Sequence, residues 1–276
     1  MNFPTKVCLG AGAFLVLSGG LLALTGFLMG GQTSLHIHSD TPEAAETPDA
    51  AASETLAPFA YLEVDVGRGD VAVVPGGDYG IELSGRLAEE LNYALDGDTL
   101  TVTGGEGALE SFSSGDQAAV TITVPEDAYL ERVTLSTDMG RVEALGFTAV
   151  ALDVSADLGS VDLTDVTAGE ATLALSMGDL DTYGLTTRSS LTVTSDMGDV
   201  TLDGSFHGET SVTLSMGGLA ITAAQPLSGC GLDLSAGLGD VYLNGELQSN
   251  PRRWEGNGDK ITASSAMGDV SVHFME

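Results

Sequence analysis

From residue 131 onward, apolar and polar side chains alternate on either side of a recurring glycine. Leu152, Val154, Leu158, Val161 and Leu163 form one such set, and Leu191, Val193, Met197, Val200 and Leu202 form another. Alternation at period two across a glycine predicts strand, turn, strand. The turn reads Met/Leu-Gly-x-Val/Leu and recurs with its glycine at 140, 159, 178, 198, 217, 239 and 268, at gaps of 19, 19, 20, 19, 22 and 29 residues. A unit of that length cannot bury its apolar face alone, and a propeller blade needs about 40 residues. Simple hairpins or a meandering sandwich could use the same length. Recurrence of the same residue types at the same offset favours stacking of like on like, about 4.8 Å per layer. The expected fold is all-β: a β-solenoid of about 19–20-residue rungs, right-handed and β-helix-like, preceded by one N-terminal transmembrane helix.

Residues 59–130 are less regular and are expected to form widened first rungs that cap one end. Tyr61 to Val66 alternate, Gly67-Arg68-Gly69-Asp70-Val71 repeats the turn formula, Asp96-Gly97-Asp98 signals a hairpin, and Val120 to Val124 is a strand closed by Pro125. Because Arg68-Gly69-Asp70 follows the turn formula, its likeness to an integrin-binding tripeptide is read as coincidence. Residues 131–276 hold the regular rungs. The 29-residue gap contains an insertion from Asn250 to Gly258 with the only Trp in the chain. Trp254, Arg252 and Arg253 could contact a sugar ring or a protein partner. The preferred reading is a cap that covers the last open strand edge. Cys230 reads as a buried free thiol.

Two ladders at the turn carry candidate chemistry. Met occupies the residue before glycine in five copies and Leu in two. Stacked thioethers could bind a soft metal, but Leu substitutes there and Met fills irregular cores, so this position is expected in the core. Asp179, Asp199, Asp240 and Asp269 directly follow the glycine, while Asp138, Asp157 and Asp196 lie two residues before it. Stacked carboxylates could share Ca²⁺; alternatively Asp and Gly are ordinary turn formers. No other cofactor is expected.

The chain begins differently. Val7 to Met29 is an uncharged apolar run of 23 residues preceded by Lys6, with no further base until Arg68. That length spans a bilayer, and the charge asymmetry keeps the N-terminus cytoplasmic with the remainder outside. A cleaved signal peptide would have a shorter apolar core and a small-residue cleavage pair. Residues 1–31 are therefore read as an anchor in the cell membrane. Residues 32–58, rich in Pro, Ala, Thr and Glu, are read as a disordered acidic stalk in which His36 and His38 are solvated. The net charge is −31, from 9 basic and 40 acidic side chains. An excess of acid on this scale excludes nucleic-acid binding, and two cysteines exclude a disulfide framework.

The N-terminal anchor, acidic spacer, LEVDVGRGDVAVV, VTITVPEDAYLERVTLSTDMGRV, the Ser-x-x-Met-Gly-Asp-Val turns and the closing MGDVSVHF together resemble a bacterial family of β-strand-repeat domains of unknown function, named "putative adhesin" and common in Gram-positive bacteria. The resemblance covers roughly residues 59–276. It implies a surface-exposed β-solenoid and transfers no catalytic or ligand residue. The expected function is a non-enzymatic surface interaction module, with the membrane as one partner and a surface protein or glycan as another. An envelope regulator acting through a membrane partner is the first alternative. A polysaccharide-active enzyme is the second, disfavoured because His207 and His273 lack a partner motif and no G-x-S-x-G elbow is present.

Overall fold

The computed structural model describes residues 52–85, 87–105, 118–126, 128–256 and 258–275. The expected anchor and residues 32–51 of the expected stalk lie outside the described residues. The fold is all-β, with two single-turn 3₁₀ segments at Ala88–Glu90 and Leu227–Gly229 among the described residues. Successive copies pair in parallel at the repeat offset: Val142 with Val161, Val161 with Leu180, Leu180 with Val200, and Val200 with Leu219. That pairing gives a β-solenoid-like coil.

Numbered in chain order, the described rungs are rung 1 (Tyr61–Gly76), rung 2 (Thr99–Gly104 and Ala118–Pro125), rung 3 (Tyr129–Met139 and Val142–Leu145) and rung 4 (Thr148–Leu158 and Val161–Thr164). Rung 5 begins at Thr167–Met177 and shares the strand Leu180–Met197 with rung 6, which ends in Val200–Phe206. Rung 7 is Glu209–Met216 with Leu219–Ala223, rung 8 is Gly231–Leu238 with Val241–Leu243, and rung 9 is Lys260–Met267 with Val270–Phe274.

Spatial order departs from chain order at both ends. Rung 1 pairs with rung 2 on one side and rung 3 on the other. Rung 9 lies between rungs 7 and 8, with Met267 opposite both Met216 and Leu238. The stack therefore runs 2, 1, 3, 4, 5, 6, 7, 9, 8. The first and last of the described rungs are thus interior, and each is covered by its neighbour in sequence.

Antiparallel strands then close the outer faces. At one end Leu91–Asp96 covers Thr99–Gly104, and Gly80–Gly85 covers Ala118–Pro125. Ala52–Thr55 adds a further strand on Gly80–Gly85, and the Tyr93 hydroxyl donates to the Glu54 carboxylate, which raises the phenol pKa above its ordinary value. The strand Ala52–Thr55 thus lies inside the segment expected to be stalk. At the other end Arg252–Trp254 covers rung 8 and Glu246–Leu247 pairs with Val241–Leu243. Side-chain amides complete the ladders where backbone pairing stops. Asn250 pairs with both the N–H and C=O of Ala236, and Gln225 does the same for Phe206 at 3.0 and 2.6 Å. A buried backbone group left without such a partner is costly.

Inward columns form the core. Val142, Val161, Leu180, Val200, Leu219, Val270 and Val241 are stacked rung on rung and buried. Leu135, Val154, Leu173 and Val193 stack likewise along the longer strands. Burying each such side chain stabilises the coil by about 1.5–3 kcal/mol. Cys230 is free and buried, and desolvation pushes its thiol up to about 11.

The residue before the turn glycine does not join this core. Met177, Met197, Met216 and Met267 are 42%, 39%, 38% and 45% exposed, and Leu158 and Leu238 are also exposed. This corrects the expectation of a Met core. Counting by twos from Leu173 and Leu175 would place Met177 inside, but the chain turns a corner at Ser176–Asp179. The corner rotates Met177 outward, and the inward count restarts at Leu180.

Candidate functional site

The corner recurs in register from rung to rung. Its backbone continues the ladder through the turn: Gly178 N donates to Met197 O at 2.9 Å, and Leu180 N donates to Asp199 O at 3.0 Å. In four copies the residue after the turn glycine points its N–H back toward the preceding rung of the stack. There an aspartate receives it: Arg141 N donates to Asp70 Oδ1, Asp199 N to Asp179 Oδ1, Gly218 N to Asp199 Oδ1 and Asp240 N to Asp269 Oδ1, at 2.7–2.9 Å. The Asp after glycine therefore completes the turn of the neighbouring rung. Asp70 belongs to this set, so the Arg68-Gly69-Asp70 tripeptide is indeed part of the stack, with Arg68 opposite Met139.

The four aspartates proposed for Ca²⁺ fall into two separated pairs. Asp179 adjoins Asp199, Asp269 adjoins Asp240, and Gly218 lies between the pairs. Asp179, Asp199 and Asp269 each spend Oδ1 on a backbone amide. Among the described residues no group of three or more His, Cys, Asp or Glu is assembled to hold an ion. Asp199→Ala should cost about 0.5–1.5 kcal/mol in a denaturant melt, the value of a lost hydrogen bond. Millimolar Ca²⁺ should leave both proteins unchanged; a Ca²⁺-dependent rise in the parent alone would contradict this role.

Outside each aspartate column runs the apolar edge. In space it reads Met139, Leu158, Met177, Met197, Met216, Met267, Leu238. At one residue per rung it extends about 29 Å. Asp157 and Asp196 lie on its other side, where they accept from Ser176 and Ser215 of the next rung.

The insertion residues are brought together as a cap. Trp254 lies opposite Leu232, Arg252 stacks 5.6 Å from the Trp254 ring, and Arg253 Nε lies 3.2 Å from Asp233. Beside the cap lies an open groove of about 690 Å³, lined by Thr213, Ser215, Ser235, Asn250, Pro251 and Ser264 among others, with no titratable residue.

One constellation was not legible in the sequence. Ser205 Oγ lies 3.1 Å from His207 Nε2, His207 Nδ1 lies 3.1 Å from Asp259 Oδ2, and Asp259 Oδ1 accepts the Gly208 N–H at 2.8 Å. His207 thus has partners that its local sequence does not reveal. Asp259 is 52 residues away and arrives only because rung 9 inserts beside rung 7. The connectivity is that of a nucleophile, base and orienting acid. The imidazole stands in solvent on an open sheet, with His207 49% exposed, and lines neither the groove above nor the smaller cavity at Glu54, Asp78 and Glu82. An exposed site of this kind lacks the desolvated, preorganised surroundings that give a triad its power.

The profile of the Toastrack DUF4097 family matches residues 59–276, about four-fifths of the chain. The chain belongs to the Toastrack DUF4097 family. Solved structures similar to this Toastrack domain include a "putative cell adhesion protein" from Clostridium sporogenes, 12% identical, covering 83% of this chain and 100% of that one with a TM-score of 0.43. A "putative adhesin" from Bacteroides fragilis is 15% identical, with coverages of 81% and 95% and a TM-score of 0.45. A "putative lipid binding protein" from Parabacteroides distasonis is 11% identical, with coverages of 84% and 98% and a TM-score of 0.43. Among curated proteins none matches the chain.

Proposed function

We propose that this Toastrack chain is a non-enzymatic surface interaction module. Residues 7–29 hold it in the cell membrane, and an acidic stalk carries the coil outside, ending where the strand Ala52–Thr55 begins. The coil is right-handed, the hand that right-twisted strands favour for parallel crossovers. The observation that supports the reading is the exposed Met/Leu edge, an apolar line that the fold does not need for its own core. Contiguous exposed apolar surface rimmed by polar groups marks interaction sites. Its acidic flanks suit a protein partner with an apolar seam and basic margins. The groove beside the cap, without titratable lining, adds no support for catalysis.

The test is site-specific photocrosslinking in intact cells, with the crosslinker placed at Met197 on the edge or at Thr192 on the neighbouring exposed sheet face. Discrete adducts from position 197 and none from 192 are expected. Equal yields from both, or none from either, would refute the reading.

A further inference from the structure

Chain order along the exposed edge is Met, Leu, Met, Met, Met, Leu, Met. Insertion of rung 9 between rungs 7 and 8 changes that to Met, Leu, Met, Met, Met, Met, Leu in space. Met177, Met197, Met216 and Met267 thereby become contiguous, each in direct register with the next. They span about 14 Å at one rung spacing apiece. All four are among the exposed large apolar side chains and lie outside the buried core. A purely apolar edge would be served equally by Leu, which flanks the run at Leu158 and Leu238.

We infer that these four methionines form a binding site for a soft monovalent cation, Cu(I) or Ag(I). Thioether sulfur is a soft, neutral donor that selects such ions over Ca²⁺ or Mg²⁺. Three rotatable bonds let sulfurs on adjacent rungs converge on one ion without moving the backbone. Neutral ligands leave the ion's positive charge uncompensated, and the flanking Asp179, Asp196, Asp199 and Asp269 carboxylates supply the opposite charge. Binding is lone-pair donation alone; nothing is oxidised or reduced.

This site shares the edge with the surface-module reading but rests on sulfur chemistry, whereas that reading rests on apolar area. The test uses the full chain in detergent with ¹³C-methyl methionine, in a Cys8→Ala/Cys230→Ala background that removes competing thiols. Silver nitrate should shift the methyl signals of Met177, Met197, Met216 and Met267 saturably, while Ca²⁺ shifts none. The double variant Met197→Leu/Met216→Leu keeps an apolar edge and should keep its melting temperature. It should also weaken silver binding by about tenfold or more, the scale on which a damaged metal site loses affinity. Silver affinity within about twofold of the parent would overturn the site. So would equal shifts at Met1, Met29, Met139 and Met275. With the crosslinker moved to Met177, the next edge position in register with Met197, the same double variant should retain partner adducts whether or not the cation site exists, whereas Met197→Glu/Met216→Glu should abolish them if the surface-module reading holds.

Discussion

Gly178→Ala should destabilise the coil by about 3 kcal/mol or more, lowering the melting temperature by about 6 °C or more. Gly178 sits at φ +139°, where side chains are strained, and an added Cβ would lie 1.6 Å from the Gly159 carbonyl oxygen. The obstacle is backbone, so no rotamer change relieves it. The neighbouring layers repeat the arrangement: a Cβ on Gly159 would meet Gly140 O at 1.7 Å, and one on Gly198 would meet Gly178 O at 1.9 Å. Adjacent turns pack backbone on backbone, and the rung spacing leaves no room for a methyl group at the corner. Gly77→Ala is the matched control, because nothing lies within 4 Å of its Cβ position. That substitution should change stability by no more than about 0.5 kcal/mol. Similar losses from both variants in a denaturant titration would show that the corner can relax.

Deleting residues 259–276 should cost two rungs, although it removes one. In a coil stacked in chain order, loss of the last repeat leaves the others paired. Here, among the described residues, rung 8 makes its parallel ladders only with rung 9. The linker between rungs 7 and 8 cannot simply lower rung 8 by one layer, because Gln225 within it is buried and bonded to Phe206 of rung 6. Amides of Leu232, Leu234 and Val241 should therefore lose hydrogen-exchange protection by about 100-fold or more, equivalent to roughly 3 kcal/mol of local stability. Retained protection at those amides would mean that rung 8 docks directly on rung 7.

The repeat, the strands and the turn glycines were readable because local periodicity encodes them. Leu152, Val154, Val161 and Leu163 alternate as the sequence requires, and all are buried. The cap at Arg252–Trp254 was readable too, since an open strand edge needs cover. What periodicity cannot encode is which copy stacks on which. Every rung carries nearly the same inward pattern, so rung 9 fits rung 7 as well as rung 8 would. The order is set by linker length and by single side chains such as Gln225 and Asn250. Asp259 reaches His207, and Met267 reaches Met216, through that order alone. The outward Met edge was misjudged for a related reason. A period-two count holds along a strand but breaks where the backbone turns a corner.

Interior placement of both terminal rungs also constrains how such a protein can lengthen. A repeat inserted directly before rung 1 or after rung 9 would have to displace a rung already clamped between two neighbours. It would also have to breach the antiparallel strands that seal the outer faces. Duplication among rungs 3 to 7 meets neither obstacle, because each new copy enters between two like surfaces. The middle of the coil is thus where an added copy costs no existing closure, and both sealed faces keep their strands.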